Sequence, residues 1–355
     1  MNKKLNSRRE FIKTAAVTGA VAAAPMLWLP RASAAEALTV ADNGGALGPA
    51  MRKAFYDPFE KETGIRVINV AHESDPVTQF KLVVDSGSGI WDVAMVTPDN
   101  VLRLTSAKNY VAPLDNAPGD GKNILPGMLT ANWFGFSVYG VVMGYRSDRF
   151  PKGGPQSWRD FWDTAHFPGR RGLFRSPSGT LELALLADGV APQDLYPLDI
   201  DRAMKSLSKI RKSVSVWWSN GAQNTQLLQS GEVDLSDTWN SRALAAIASG
   251  APVKIVWQGT YNVDGWSIVA GTKKLKQAQQ FVRFCMRADR LAEYGTLSGN
   301  GPTNTESIKL IDQKRAELLT TYPKNLEGLR RRDTAWWGKN YDVANERFQE
   351  WLIQG

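Results

Sequence analysis

Short apolar runs alternate with amphipathic segments along most of this 355-residue chain. In the first third, strands are predicted at residues 38–41, 65–70 and 91–96, with helices at 49–62 and 77–85 between them. Gly64 follows the first helix and suits the left-handed position that ends many helices. Strands that alternate with helices are typical of parallel βαβ units.

A second α/β series follows a predicted strand at residues 139–145 and a loop rich in proline and glycine. Ser178 or Thr180 is expected to cap one of its helices. Strands are predicted at 172–175, 234–239, 253–257 and 264–270, and helices at 181–186, 200–214, 242–249, 273–286 and throughout 304–354. A chain of this length exceeds what one compact core usually holds, so two α/β lobes are expected.

The first 34 residues have the three parts of an export leader. Residues 1–13 are basic, residues 17–29 are apolar but too short for a comfortable membrane span, and Ala32-Ser33-Ala34 offers a cleavage site. Residues 7–13 read SRREFIK and resemble the twin-arginine consensus. We therefore predict a twin-arginine signal peptide at 1–34 and a mature protein in the periplasm.

The leader changes how the net charge of +8 is interpreted. It contains six of the 43 basic residues and one of the 35 acidic residues, so the remaining chain has a net charge of only +3. Such a balance does not indicate binding to nucleic acid or to a membrane surface.

The chain lacks the common catalytic and cofactor-binding motifs. The chain contains no Gly-x-Ser-x-Gly motif, no Walker loop and no glycine-rich dinucleotide fingerprint. His72-Glu73 begins like a zinc-binding helix, but Pro76 stands where the second histidine would be. Two histidines and one cysteine do not build a usual transition-metal or iron–sulfur site, so we predict no catalysis and no cofactor.

Several segments together resemble a known family. Residues 55–67 read FYDPFEKETGIRV and resemble the opening of the extracellular solute-binding proteins of ABC importers. Residues 91–93 (WDV) and 157–162 (SWRDFW) are similar to two later segments of that family. Residues 231–234 (GEVD), followed by 239–241 (WNS), resemble its spermidine/putrescine-binding branch.

The resemblance implies a type II periplasmic-binding-protein fold, in which two α/β lobes are joined by crossing hinge strands. Lobe 1 would comprise residues 36–138 plus 264–300, and lobe 2 residues 139–263 plus 301–355. A small solute would bind between the lobes, hinge closure would enclose it, and an inner-membrane ABC permease would receive it. A monomer is expected. A sensory ligand-binding subunit is an alternative, and an enzyme exported in folded form is a weaker one.

The resemblance also implies which residues bind the ligand. Trp239 matches a tryptophan that packs on the methylene chain of a polyamine, and Asp264 matches an aspartate that pairs with an ammonium group. Glu182 lies near a family carboxylate. Asn43 stands where the branch has aromatic and acidic residues, and Asp99 supplies a charge in a loop where the branch has an aromatic residue.

The ligand itself stays open at this point. Arg175 and Ser178, next to a predicted helix start, favour a carboxylate or a phosphate. A zwitterion or an organic acid therefore fits as well as a polyamine. Trp218 and Tyr261 complete the candidate ligand-binding residues, and the run of arginines at 330–332 is interpreted as a solvated turn.

Overall fold

The computed structural model describes residues 37–115 and 121–354. The predicted signal peptide, residues 1–34, lies outside the described residues. Within these two ranges, no helix combines the length and the apolar character that a membrane span requires.

The strands follow the apolar runs closely. The strands predicted at 253–257 and 264–270 are the two halves of one continuous strand. Strand bounds are β1 (Ala37–Asp42), β2 (Arg66–Ala71), β3 (Val93–Val96), β4 (Val111–Ala112), β5 (Phe134–Arg146), β6 (Arg171–Phe174), β7 (Val214–Trp218), β8 (Leu235–Trp239), β9 (Val253–Val269), β10 (Gly301–Pro302) and β11 (Leu329–Arg331).

The strands form one mixed sheet in the order β2-β1-β3-β9-β5-β8-β6-β7. Strands β1, β2 and β3 pair in parallel at one end, and β6, β7 and β8 at the other. Between them β5 and β9 are long and antiparallel, with Ser137 opposite Asp264 and Val141 opposite Thr260. The two parallel sheets expected from the βαβ pattern are therefore joined by two shared strands.

The helices cover both ends of the sheet. Helix bounds are α1 (Gly48–Met51), α2 (Asp57–Thr63), α3 (Val77–Ser86), α4 (Pro98–Thr105), α5 (Trp158–Trp162), α6 (Pro177–Ala187), α7 (Ile200–Ile210), α8 (Gly221–Ser230), α9 (Asn240–Ala248), α10 (Leu275–Cys285), α11 (Ala288–Ser298), α12 (Gln313–Ala316), α13 (Pro323–Glu327) and α14 (Thr334–Ile353). A π-helical turn, Arg52–Tyr56, connects α1 to α2.

Two helical predictions need correction. Neither Ser178 nor Thr180 caps α6, because the helix is kinked at Ser178 and at Gly179 (φ 93°), the Ser178 hydroxyl accepts from Arg332 and the Thr180 hydroxyl donates to the Phe174 carbonyl. The tail from residue 304 is not helical throughout, since β11 lies within it and α14 is its one long helix among the described residues.

The long strands enter two separate groups of hydrophobic side chains. Phe134 and Phe136 of β5 pack with Trp266 of β9 in the core of the first lobe. Met143 and Tyr145, further along β5, pack in the core of the second lobe, against α6 and α7. The same strand is therefore anchored in both lobes, which suits a hinge.

The segment between β10 and α14 contacts both lobes. Strand β10 pairs with the part of β5 at Ser137 and Val138, and Asn304 donates to the Met286 carbonyl of the first lobe at 3.0 Å. Helix α14, in contrast, buries Trp337 and Phe348 in the core of the second lobe. The lobe boundaries given above remain a prediction.

Candidate ligand-binding site

Two adjoining chambers lie where the lobes meet. The inner chamber is lined by Asn43, Leu47, His72, Pro76, Met95, Val96, Ser241, Arg242, Asp264 and Asn300. The outer chamber is lined by Glu73, Asp75, Asp99, Val141, Phe174, Arg175, Ser176, Ser178, Ser219, Arg332, Tyr341, Asn345 and Gln349. Ser74, Thr97, Asn100, Tyr139 and Trp239 line both. Together with the solvent-open space at their mouths, the chambers measure about 470 and 990 Å³.

Strand ends and helix starts position these residues. Thr97 follows β3 and forms a capping box with Asn100 at the start of α4. Trp239 ends β8 and is the N-cap residue of α9, so Arg242 lies in the first turn of that helix. Because the carboxyl ends of parallel strands meet at one edge of a sheet, these groups face one crevice.

Asp264 presents a buried carboxylate to the inner chamber. It is only 7% exposed, and no hydrogen-bond donor approaches its side chain among the described residues. Burial raises its pKa to about 7, against the opposing effects of Arg332 and Arg242. A cationic group in the chamber would stabilise the ionised form.

Arg242 presents a buried guanidinium to the same chamber. It is 1% exposed, and its Nε and Nη1 atoms have no hydrogen-bond partner. Burial lowers its pKa against the opposing effects of Tyr294, Asp264 and Asp42, and among the described residues neither carboxylate forms a salt bridge with it. A buried arginine is normally paired with an anion, so an anionic group of a ligand would stabilise this side chain.

Asp264 and Arg242 reach the inner chamber from different elements. Asp264 is on β9, Arg242 follows β8, and β5 lies between these strands. Asp264 lies opposite Ser137 of β5 and Trp239 opposite Val141, so Asp264 and the end of β8 are also offset along the strands. The chamber thus offers a negative and a positive group.

Aromatic rings form the wall shared by the chambers. The rings of Trp239 and Tyr139 lie 6.5 Å apart at 76°. Phe174 and Trp218 support Trp239 from behind, with ring centres at 5.4 and 5.3 Å. Such faces suit methylene groups and can attract a cation.

The structure brings six of the nine predicted residues to the chambers. Asn43 and Asp264 line the inner one, Trp239 lines both, and Asp99, Arg175 and Ser178 line the outer one. Asp99 also accepts a hydrogen bond of 3.1 Å from Asn262.

Glu182, Trp218 and Tyr261 line neither chamber. Glu182 is fully buried, and its oxygens accept hydrogen bonds from the Gly179 amide, the Tyr196 hydroxyl and the Trp337 indole at 3.0, 2.6 and 2.7 Å. These contacts hold the start of α6 against α14.

Trp218 and Tyr261 support the site from outside. Trp218 is fully buried, stacks on Phe174 at 4.4 Å and donates to Asp237 at 2.7 Å. The ring of Tyr261 packs on the first-lobe core, and its carbonyl accepts from the Arg332 amide at 3.0 Å.

The sequence prediction missed both arginines of the site. Arg242 directly follows the Trp239-Asn240-Ser241 motif, and its place in the first turn of a helix was the available signal. The solvated-turn interpretation of 330–332 is wrong for Arg332, because β11 ends at Arg331 and the next side chain points inward, 8% exposed. His72 lines the inner chamber, but both its ring nitrogens lie against backbone carbonyls.

Two lobes, a shared pair of hinge strands and a polar cleft between them define a solute-binding protein. The chain belongs to the family of bacterial extracellular solute-binding proteins, whose family model matches residues 54–321. This confirms the resemblance identified from residues 55–67 and the later motifs, and the two-lobed fold that it implied.

Curated relatives and a solved structure agree with this assignment. The gamma-aminobutyric acid-binding protein of Pseudomonas aeruginosa is 34% identical over 90% of this chain and 92% of its own length. The spermidine/putrescine-binding periplasmic protein of Escherichia coli is 25% identical over 75% of this chain and 78% of its own. The binding protein AgtB of A. tumefaciens R10, solved with agropinic acid, superposes with a TM-score of 0.83 at 28% identity, covering 90% and 99% of the two chains.

Proposed function

We propose that this protein is the substrate-binding component of an ABC importer and that it captures a linear amino acid with its ammonium and carboxylate groups at opposite ends. The observation that carries this proposal is the pair of Asp264 and Arg242, both buried, both without a salt bridge among the described residues and both lining the inner chamber. The ligand's ammonium group would lie at Asp264 and its carboxylate at Arg242.

The separation of the two groups favours a chain between the ligand's charges. In an α-amino acid the ammonium and carboxylate groups sit on one carbon, whereas Asp264 and Arg242 are carried by different elements, β9 and α9, and β5 lies between β9 and the strand that leads to α9. The rings of Tyr139 and Trp239 offer apolar faces between them for methylene groups. 4-Aminobutyrate has this form, and it is the ligand named for the Pseudomonas relative.

A polyamine fits the inner chamber less well. Both of its ends are cations, and one of them would lie against the Arg242 guanidinium. A buried like-charge contact costs several kcal/mol, because neither charge retains its hydration. Glu182, the predicted second carboxylate for a polyamine, is fully engaged elsewhere.

Capture and delivery follow from the hinge. Contacts already cross between the lobes at the mouth, where the Ser74 hydroxyl donates to the Ser219 carbonyl at 3.2 Å. Closure of the lobes over the solute would give a permease a recognisable shape. The predicted twin-arginine leader places this activity in the periplasm.

Calorimetry on the mature chain tests the proposal. We expect 4-aminobutyrate to bind, and putrescine, spermidine and succinate to bind at least about 100-fold more weakly, since each leaves one buried charge uncompensated. Arg242→Gln should abolish detectable 4-aminobutyrate binding. Putrescine binding tighter than 4-aminobutyrate, or wild-type affinity in Arg242→Gln, would contradict the proposal.

A further inference from the structure

A second buried arginine faces the cleft, in the outer chamber. Arg332 is 8% exposed, and its side chain donates to two neutral hydroxyls, those of Ser178 and Tyr139, the latter at 2.6 Å. Its Nε atom has no partner. Burial alone would lower its pKa, but the nearby Tyr139, Asp99 and Glu182 raise it, so the guanidinium stays charged. Among the described residues no carboxylate forms a salt bridge with it, and an anionic ligand group would supply that direct pair.

Arg332 adjoins the end of the inner chamber that holds Asp264. The Tyr139 hydroxyl, which accepts its hydrogen bond, belongs to the wall shared by both chambers. Among the cations that lower the pKa of Asp264, Arg332 has a larger effect than Arg242. A group attached to the amine-bearing end of a ligand would therefore enter the outer chamber near Arg332.

We propose that Arg332, Tyr139 and Ser178 form a second anion subsite, and that the ligand is an amino dicarboxylate with its second carboxylate attached at the amine-bearing end. This rests on the proposed function, since it adds one group to the ligand placed between Asp264 and Arg242. The Tyr139 hydroxyl accepts from Arg332 and keeps its own proton for the incoming carboxylate.

A separate small anion could supply the same chemistry. The linked carboxylate is favoured because the two chambers share one wall and open into one cleft, so a tethered group reaches Arg332 without a second association step. The outer chamber is open to solvent, so a linker can enter it together with the carboxylate.

Two matched ligand pairs test the subsite by calorimetry. Glutamate is compared with its α-amide, and N-(2-carboxyethyl)-4-aminobutyrate with the corresponding carbamoyl compound, so each pair differs in one charge. In the wild type, at least one acid should bind about tenfold or more tightly than its amide, as expected for a charge-assisted pair. A ratio near one for both pairs would overturn the proposal.

Variants assign the effect to Arg332. In Arg332→Gln the ratio of amide to acid dissociation constants should fall to within about twofold of unity, because the cation is lost. Arg331→Gln makes the same charge change at an exposed neighbour and should keep the wild-type ratio. A ratio that survives in Arg332→Gln would refute the assignment. If that variant fails to fold, Tyr139→Phe replaces it, with at least a threefold loss of the ratio expected.

Further arms separate the competing explanations. If excess acetate increases the affinity for 4-aminobutyrate as much as the linked carboxylate does, the subsite binds a free anion. The proposal of a dicarboxylate ligand is then refuted. If 4-aminobutyrate binding depends on Arg242 while both acid-to-amide ratios stay near one, only the second subsite fails. If the ratios depend on Arg332 while Arg242→Gln binds normally, the subsite stands and the proposed function fails.

Discussion

The indole of Trp239 meets that of Trp218 edge-on, with ring centres 5.3 Å apart and ring planes at 89°. Trp239 lines both chambers, whereas Trp218 is fully buried and lines neither. Trp239 therefore contacts the space available to the ligand, and Trp218 holds Trp239 in place. The two tryptophans were predicted alike, and they should behave differently on substitution.

Replacing Trp239 should act mainly on binding. Trp239→Ala removes the aromatic wall beside Tyr139, and we expect the affinity for 4-aminobutyrate to fall about tenfold to 100-fold. The matched variant Trp218→Phe keeps a ring but loses the donor to Asp237, which should cost about 1–3 kcal/mol of stability and change the affinity less than threefold. Calorimetry and thermal melts of both variants measure these effects. The reverse order of affinity losses would contradict the assigned roles.

Binding should weaken as the pH falls through the pKa of Asp264. That pKa is raised to about 7 by burial, and an ammonium group requires the ionised form. Between pH 8 and 5.5 the ligand's own groups keep their charges, so the affinity for 4-aminobutyrate should drop about 30-fold. Asp264→Asn should bind weakly at both pH values. An affinity independent of pH in the wild type would be incompatible with ammonium binding at Asp264.

The same carboxyl should lower the stability of the ligand-free protein at neutral pH. A folded-state pKa near 7, above the unfolded value of 3.8, means that stability is fully present below pH 3.8 and is lost as the pH rises through 7. Asp264→Asn should therefore raise the melting temperature at pH 8 more than at pH 5. Asp57→Asn, an exposed site on the first lobe, is the matched control and should show no such difference. Asp237, whose pKa is also raised to about 7, should keep part of the pH dependence in both variants.

Gly221 should influence binding without touching the ligand. A Cβ atom there would lie 2.4 Å from Nε of Arg242, so Gly221→Ala must displace the guanidinium. We expect the affinity to fall about tenfold and the melting temperature to drop by a few degrees, since the added methyl group overpacks a guanidinium that is 1% exposed. Gly48→Ala, where nothing lies within 4 Å of the added atom, is the control. Full affinity in Gly221→Ala would show that the position of Arg242 does not limit binding.

Arg103 connects the lobes on the outer side of the cleft. On α4 it pairs with Asp75 at 2.8 Å and with Asp342 of α14 at 3.0 Å, and it lies 4.0 Å from the ring centre of Tyr341. Because Asp342 is 86% exposed, its contribution should be small, and Asp342→Ala should lower the affinity less than about fivefold.

Arg103→Ala should cost more, since it also removes the cation that pairs with Asp75 and the contact with Tyr341. A double-mutant cycle on ligand affinity measures the coupling between Arg103 and Asp342. A coupling of zero would show that this pair does not stabilise the closed lobes.

Much of the fold could be predicted from the sequence. The apolar runs that became β1, β3 and β8 are short and almost wholly buried, and their spacing with amphipathic helices is a local signal that survives folding. The predicted break in β9 is the main difference, and contacts between segments distant in the chain explain why the strand is continuous. The residues between the two predicted strands of β9 are only partly apolar, yet they pair with β5 and β11 and so continue the strand.

The candidate site likewise has features that the sequence predicts and features that only the tertiary structure reveals. The sequence by itself determined the class of protein and singled out Trp239, at the end of a strand, and Asp264 as cleft residues, because both positions resemble motifs of the family. Only the tertiary structure decided which charges lack partners. Glu182 accepts hydrogen bonds from Trp337 of α14 and from Tyr196, whereas Arg242 and Arg332 are buried beside the cleft without a salt bridge among the described residues. Pairing depends on distances between residues far apart in the chain, and no local pattern records them.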